Sequence, residues 1–115
     1  NFRLLGQRND IPSCLKAMDI FCLHSKTEGF PNVLGEAMAV GTIVTALDVG
    51  DSKYLLNNEK FIAKDELEIL SILKGVLVNI KSFSEVVLEN KDRVSREFPL
   101  ARIVVLYEEL YQKVI

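Results

Sequence analysis

Two short stretches restrict the fold of this sequence more than any other feature. Ile20-Phe21-Cys22-Leu23 and Thr42-Ile43-Val44-Thr45-Ala46-Leu47 are continuous apolar or β-branched runs with no alternation of inward and outward residues. A strand with one wet face alternates with a period of two. An unpatterned strand is covered on both faces, as in a parallel sheet flanked by crossover helices. The segment between the two runs supplies such a helix. Pro31-Asn32 starts it, Val33 to Val40 carries it, and Gly41 is placed to end it in a left-handed cap.

The rest of the chain continues that alternation. Phe2 to Leu5, closed by Gly6, is predicted to be a buried strand ending in a turn. Asp10 is placed to cap a short helix with Pro12 in its first turn and an apolar face of Leu15, Ala17 and Met18. Lys60 to Ala63 is predicted to be a last short strand. Asp65-Glu66-Leu67-Glu68 has the form of a capping box opening a helix to about Asn79, with Leu67, Leu70 and Leu77 among its apolar positions. Ser82 and Glu85 repeat that signature before a helix ending near Phe98-Pro99. A final helix, Ala101 to Val114, carries Ile103, Leu106, Tyr107, Leu110 and Tyr111 at helical spacing. Strands alternating with helices, each strand apolar throughout, specify an α/β fold: a Rossmann-like parallel sheet with flanking helices.

Composition narrows the functions open to such a chain. Its 115 residues suit one domain, spanning 1–115. With 14 Lys+Arg against 16 Asp+Glu, an electrostatic nucleic-acid partner is not expected. One His and two Cys are too few for a closed zinc site, and no metal site is expected. No apolar run reaches the roughly 18 residues a membrane span requires. Cys14 and Cys22 read as reduced packing thiols, Asn1 to Leu5 lacks the layout of a signal peptide, and the expected compartment is the cytoplasm. The missing initial Met and the strand-first opening point to a piece of a longer protein.

In open parallel sheets, ligands bind where the carboxyl ends of strands pass into loops. Gly6 to Asp10 and Ser25 to Pro31 are two such loops. The second leads into a helix whose first amides, around Asn32 and Val33, lack intrahelical partners. With the helix dipole they form an anion site that needs no Lys. Gly29 allows close backbone approach, and Pro31 sets the helix entry. Glu28 and Glu36, eight positions apart, bracket this site, and Glu36 is the only charged residue between Asn32 and Thr42. A carboxylate accepts two hydrogen bonds, which suits the paired hydroxyls of a ribose or a pyranose. A diphosphate site between two carboxylates is therefore a candidate nucleotide-sugar site.

The string Glu28-Gly-Phe-Pro-Asn-Val-Leu-Gly-Glu36-Ala-Met-Ala-Val-Gly41 closely resembles the EX7E motif of the retaining glycosyltransferases of family 4, which have the GT-B fold. Leu5 to Ile11, Ala17 to Ser25 and Gly41 to Gly50 fit the same pattern, as does the terminal Tyr107-Glu-Glu-Leu-Tyr111. The resemblance implies the latter part of a C-terminal, donor-binding GT-B domain, with upstream strands and an N-terminal acceptor domain lying outside the chain. It implies that Glu28 contacts the donor sugar at the catalytic position, and that Gly29, Phe30, Pro31, Asn32 and Val33 hold sugar and diphosphate. Glu36 grips the ribose, and the Gly6, Gln7 and Arg8 loop lines the nucleobase. The implied reaction transfers a sugar from a UDP- or GDP-sugar, with retention and without a metal or other cofactor, to a saccharide or lipid-linked acceptor. Polysaccharide or cell-envelope synthesis is the implied setting. In the favoured family mechanism, a front-face displacement, the leaving phosphate helps deprotonate the acceptor, and Glu28 acts by position and charge. The missing acceptor domain is the implied partner, and the fragment alone is expected to be inactive. The whole protein is expected in the cytoplasm or at the inner face of the membrane, through peripheral association.

The sequence departs from that family at Gly50-Asp51-Ser52-Lys53-Tyr54, where Gly-Gly and a nearby Glu are usual, and at His24, where Pro is common. The first departure supports an alternative, a non-catalytic nucleotide-sugar-binding or partner subunit of the same fold. Taken singly, Glu36 could merely complement a helix dipole, Glu28 could be a solvated turn residue, and Arg8 a surface charge. His24 reads as a packing or loop residue, and Met18, Met38, Tyr107 and Tyr111 as core. Lys16, Lys26 and Lys53 read as solvated, with Lys26 best placed to reach a ligand.

Overall fold

A computed structural model describes residues 2–114. Three strands, β1 (Ile20–Leu23), β2 (Ile43–Leu47) and β3 (Ile62–Ala63), pair in parallel in the order β1-β2-β3. Ile20 lies opposite Ile43 and Leu23 opposite Ala46, while Ala46 and Leu47 face Ile62 and Ala63 on the other edge. All five residues of β2 are buried. Its hydroxyl, and that of Thr42 just before it, are not left orphaned. Thr42 Oγ1 donates to the Leu15 carbonyl at 2.6 Å, and Thr45 Oγ1 to the Phe61 carbonyl at 2.8 Å. The expected Rossmann-like parallel sheet with flanking helices is therefore present.

Helix α1 (Ile11–Ala17) precedes β1. Helices α2 (Asn32–Val40) and α3 (Ser52–Leu56) make the crossovers into β2 and β3. Leu34, Ala37 and Met38 on α2 are wholly buried, and Gly41 ends the helix at φ +88°, as its position predicts. A 3-10 turn over Glu59–Phe61 leads into β3. Helices α4 (Glu66–Val78), α5 (Ser84–Glu97) and α6 (Leu100–Val114) follow. The start of α4 is boxed as expected: Glu68 N–H donates to the Asp65 carboxylate at 2.9 Å. The Glu68 carboxylate reaches back to Lys64 N–H at 2.7 Å. Arg93 holds α5 to α3. Its Nε and Nη2 donate to the carbonyls of Leu55 and Tyr54 at 3.0 and 2.8 Å, and its Nη1 to Glu97 at 2.6 Å.

Several expectations need correction. Phe2 to Leu5 forms no strand. It is irregular and exposed, with Phe2 at 90% and Leu4 at 84%, because among the described residues no strand lies beside it to take its backbone hydrogen bonds. The first three residues of β1 are only half-buried, since β1 is an edge strand. Asp10 does not cap α1, because its carboxylate is taken by Arg8. The Ser82 hydroxyl donates to the Asn79 carbonyl at 2.8 Å within a 3-10 turn, so the second capping box is not made. On α4 the sheet takes Ile69 and Val76, leaving Leu67, Leu70 and Leu77 outward. Met38 is core, but Met18, Tyr107 and Tyr111 are exposed. No residue of α6 is buried, and Leu106 and Leu110 are exposed with the two tyrosines. Cys14 and Cys22 are free and half-buried, and burial pushes the Cys22 thiol up.

Leu34→Ala should lower unfolding free energy by about 2–5 kcal/mol, because the side chain is completely enclosed. Leu100→Ala, at a position 77% exposed, should change it by less than about 0.5 kcal/mol. Denaturant titration of the two variants measures both.

Candidate functional site

The carboxyl ends of β1 and β2 deliver two loops, and these pack directly on one another. Asp51 N–H donates to the Gly29 carbonyl at 2.9 Å. Gly50 sits at φ +52°, and a Cβ there would run into the carbonyl oxygens of Glu28 and Gly29. A side chain is excluded twice, by the left-handed backbone and by the space. Gly50 is thus a structural partner of the Glu28 loop, a role that motif matching alone did not reveal. The readable signal was a glycine just beyond a buried strand, where two loops must converge.

Among the candidate residues, Pro31 is buried and Glu28 half-buried, while Gly29, Phe30, Asn32 and Glu36 are exposed. The Val33 side chain turns partly into the core, so only its backbone is offered outward. The expected free amides are partly engaged. Asn32 N–H turns back onto the Phe30 carbonyl, and Leu34 N–H onto Pro31, both at 3.0 Å. Those of Gly29, Phe30 and Val33 donate to no acceptor among the described residues. No side chain caps α2, so its positive end is uncompensated.

Glu36 lies one turn into α2 and, with Asn32 and Gly35, forms one wall of a cavity of about 320 Å³. Phe30, Leu55 and Phe98 close it on other sides. A second cavity, of about 340 Å³, shares Phe30, Asn32 and Phe98 and adds Tyr54 and Arg102. Glu28 lines neither of them. The two carboxylates therefore belong to one loop-and-helix unit but not to one cavity.

Gly6, Gln7 and Arg8 are exposed and do not border the Glu36 cavity. The Arg8 guanidinium is paired with Asp10, with Nε–Oδ1 at 2.7 Å and Nη2–Oδ2 at 2.5 Å. This pair raises the Arg8 pKa and lowers that of Asp10. His24 stands 3.9 Å from Glu66, beyond hydrogen-bond length, and both are exposed. Lys53 is not simply solvated: it pairs with Glu59 at 2.9 Å, which raises the lysine pKa and lowers that of the glutamate. Among the described residues no three His, Cys, Asp or Glu side chains gather as a metal site.

A parallel sheet whose strand ends deliver an uncapped helix start, with a carboxylate one turn along, defines an α/β module of Rossmann-like type. The chain belongs to the glycosyl transferases group 1 family, whose profile matches residues 1–79. It is also similar to the UDP-Gal:alpha-D-GlcNAc-diphosphoundecaprenol alpha-1,3-galactosyltransferase of Escherichia coli, with 43% identity over 56 residues. That match covers 49% of this chain and 14% of the relative. Among the described residues no helix is long and apolar enough to cross a membrane.

Gly50→Ala should destabilise the protein by more than about 2 kcal/mol, combining left-handed strain with overlap onto two carbonyls. A midpoint within error of wild type in urea would contradict the close packing of the two loops. The Asp10 carboxyl should titrate below the usual value of about 3.9. Its contribution to stability is present above that value and is lost as pH falls through the depressed one. Arg8→Ala should return the titration, followed by NMR, to the ordinary range.

Proposed function

We propose that this chain is the donor-binding part of a retaining glycosyltransferase of family 4 with GT-B architecture, whose EX7E motif runs from Glu28 to Glu36. Membership of the glycosyl transferases group 1 family supports this reading. The observation that carries it is the β1–loop–α2 unit. It presents unpaired amides of Gly29, Phe30 and Val33 at an uncapped helix start, with Glu36 in a cavity wall one turn away. Free amides and a positive helix end suit a diphosphate, and a carboxylate with two acceptor oxygens suits vicinal hydroxyls.

In this reading Glu36 holds the ribose, and the amides of Gly29 to Val33 hold the diphosphate and sugar. Glu28 orients the donor sugar and stabilises positive charge developing at its anomeric carbon. The leaving diphosphate accepts the proton of the attacking hydroxyl, and the anomeric configuration is retained. No metal or cofactor is assigned. Gly6, Gln7 and Arg8 remain the proposed nucleobase loop, with Arg8 contributing only if its pairing with Asp10 opens. Residues 1–115 then form one nucleotide-sugar-binding unit that works with an acceptor domain elsewhere in the whole protein.

The name of the E. coli relative specifies a UDP-sugar and a lipid-diphosphate-linked acceptor. For this chain we take a UDP-sugar as donor and a saccharide or lipid-linked saccharide as acceptor, in polysaccharide or cell-envelope synthesis at the cytoplasmic face of a membrane. A non-catalytic binding subunit is the second reading, favoured by Asp51-Ser52-Lys53 in place of the usual Gly-Gly and nearby Glu.

Calorimetry with UDP on the whole protein tests the donor site: Glu36→Ala should weaken binding about tenfold or more. Glu28→Ala should lower turnover by a larger factor than it lowers UDP affinity. Unchanged donor binding and turnover in both variants would exclude the site, while UDP binding without sugar transfer would favour the second reading. Transfer undiminished by EDTA is expected.

A further inference from the structure

The loop carrying the free amides is held at its side by a chain of contacts that begins at Phe30 and Phe98, two walls of the Glu36 cavity. A loop that points unpaired amides outward gains little order from its own hydrogen bonds, so its shape must come from packing. Gly50 supports it on one side. On the other, Phe30 packs on Phe98, with ring centroids 5.7 Å apart and planes at 50°. Phe98 lies at the corner between α5 and α6, and Tyr54 meets it edge-on at 6.0 Å.

Arg93 stands behind both rings. Its guanidinium carbon is 5.9 Å from the Tyr54 centroid and 5.7 Å from that of Phe98. The group cannot swing away without breaking its bonds to the Tyr54 and Leu55 carbonyls and to Glu97. A planar fork serving three acceptors while stacking on two rings is a task for Arg that Lys cannot reproduce.

We propose that Phe98 is a positioning residue for the β1–α2 loop: backed by Arg93 and Tyr54, it fixes Phe30 and thereby the adjoining amides in their ligand-ready arrangement. Amides already in place need no reorganisation when an anion arrives. The ordering of the loop stands on the packing alone, whereas its consequence for a nucleoside diphosphate rests on the donor-site reading.

Amide exchange in the whole protein, with UDP titrations alongside, tests this. The reporters are Asn32 N–H, bonded to Phe30, and Asp51 N–H, bonded to Gly29. Phe98→Ala should speed exchange at both amides and weaken UDP binding, each about tenfold, and Phe98→Tyr should restore both. Phe83→Ala is the control, because it removes another aromatic pair, Phe61–Phe83 at 5.8 Å, at the amino end of β3. It should lower thermal stability yet leave Asn32, Asp51 and UDP affinity near wild type. If Phe98→Ala does not fold, Arg93→Lys should accelerate the same two amides by a smaller factor. Unchanged exchange at these amides, or equal acceleration by Phe83→Ala, overturns the proposal. Faster exchange with UDP affinity unmoved by Glu36→Ala upholds the positioning role and removes the donor reading. Weaker UDP binding in Glu36→Ala, with Phe98→Ala moving neither readout, does the reverse.

Discussion

Every residue of β2 is buried, with β1 beside Ile43 to Ala46 and β3 beside Ala46 and Leu47, so its amides and carbonyls must be satisfied from within the protein. Parallel pairing to β1, and to β3 at the strand's carboxyl end, meets much of that demand. It also obliges the chain to return from the carboxyl end of each strand to the amino end of the next, which α2 and α3 do. Even the hydroxyls associated with this strand are enlisted. Thr42 ties α1 to the strand's start, and Thr45 ties the strand to the turn before β3. The convergence of the β1 and β2 loops at the carboxyl end of the sheet follows from that arrangement.

At that end the backbone does more than the side chains. Gly50 approaches the Glu28 and Gly29 carbonyls as only a glycine can, and Asp51 N–H closes the contact. The aromatic cluster of Phe30, Tyr54 and Phe98, with Arg93 behind it, holds the opposite side. Between these supports lie amides without partners, which is the arrangement an anion site requires. Membership of the glycosyl transferases group 1 family gives that geometry a chemical context. In the proposed reading, the placement of Glu36 in a cavity wall and Glu28 outside it suits two different hydroxyl groups better than one shared proton.

Elements with strong local signals were readable in the chain itself. The unpatterned runs became β1 and β2, Gly41 ended α2, and Asp65 with Glu68 opened α4. Where two local solutions competed, the sequence was a poor guide. Asp10 could cap a helix or pair with Arg8, and it pairs. Ser82 could accept from a helix amide or donate to a carbonyl, and it donates. The α4 helix carries two apolar stripes, and only the position of the sheet selects Ile69 and Val76 over Leu67, Leu70 and Leu77. Tyr107 and Tyr111 have core-like spacing on a helix in which no residue is buried and only Ile103 is half-buried.

The sequence by itself determined the parallel α/β class, the place of the crossover helix, and the motif from Glu28 to Glu36. Each is written in contiguous residues, through strand patterning, capping chemistry and spacing. Tertiary structure alone decided that Asp51 N–H is spent on the Gly29 carbonyl. It also decided that Gly50 props the loop and that Phe98 reaches Phe30 from a distant helix corner. Those outcomes depend on which backbone groups and rings meet once the sheet has formed, and no local pattern encodes a meeting between residues so far apart along the chain.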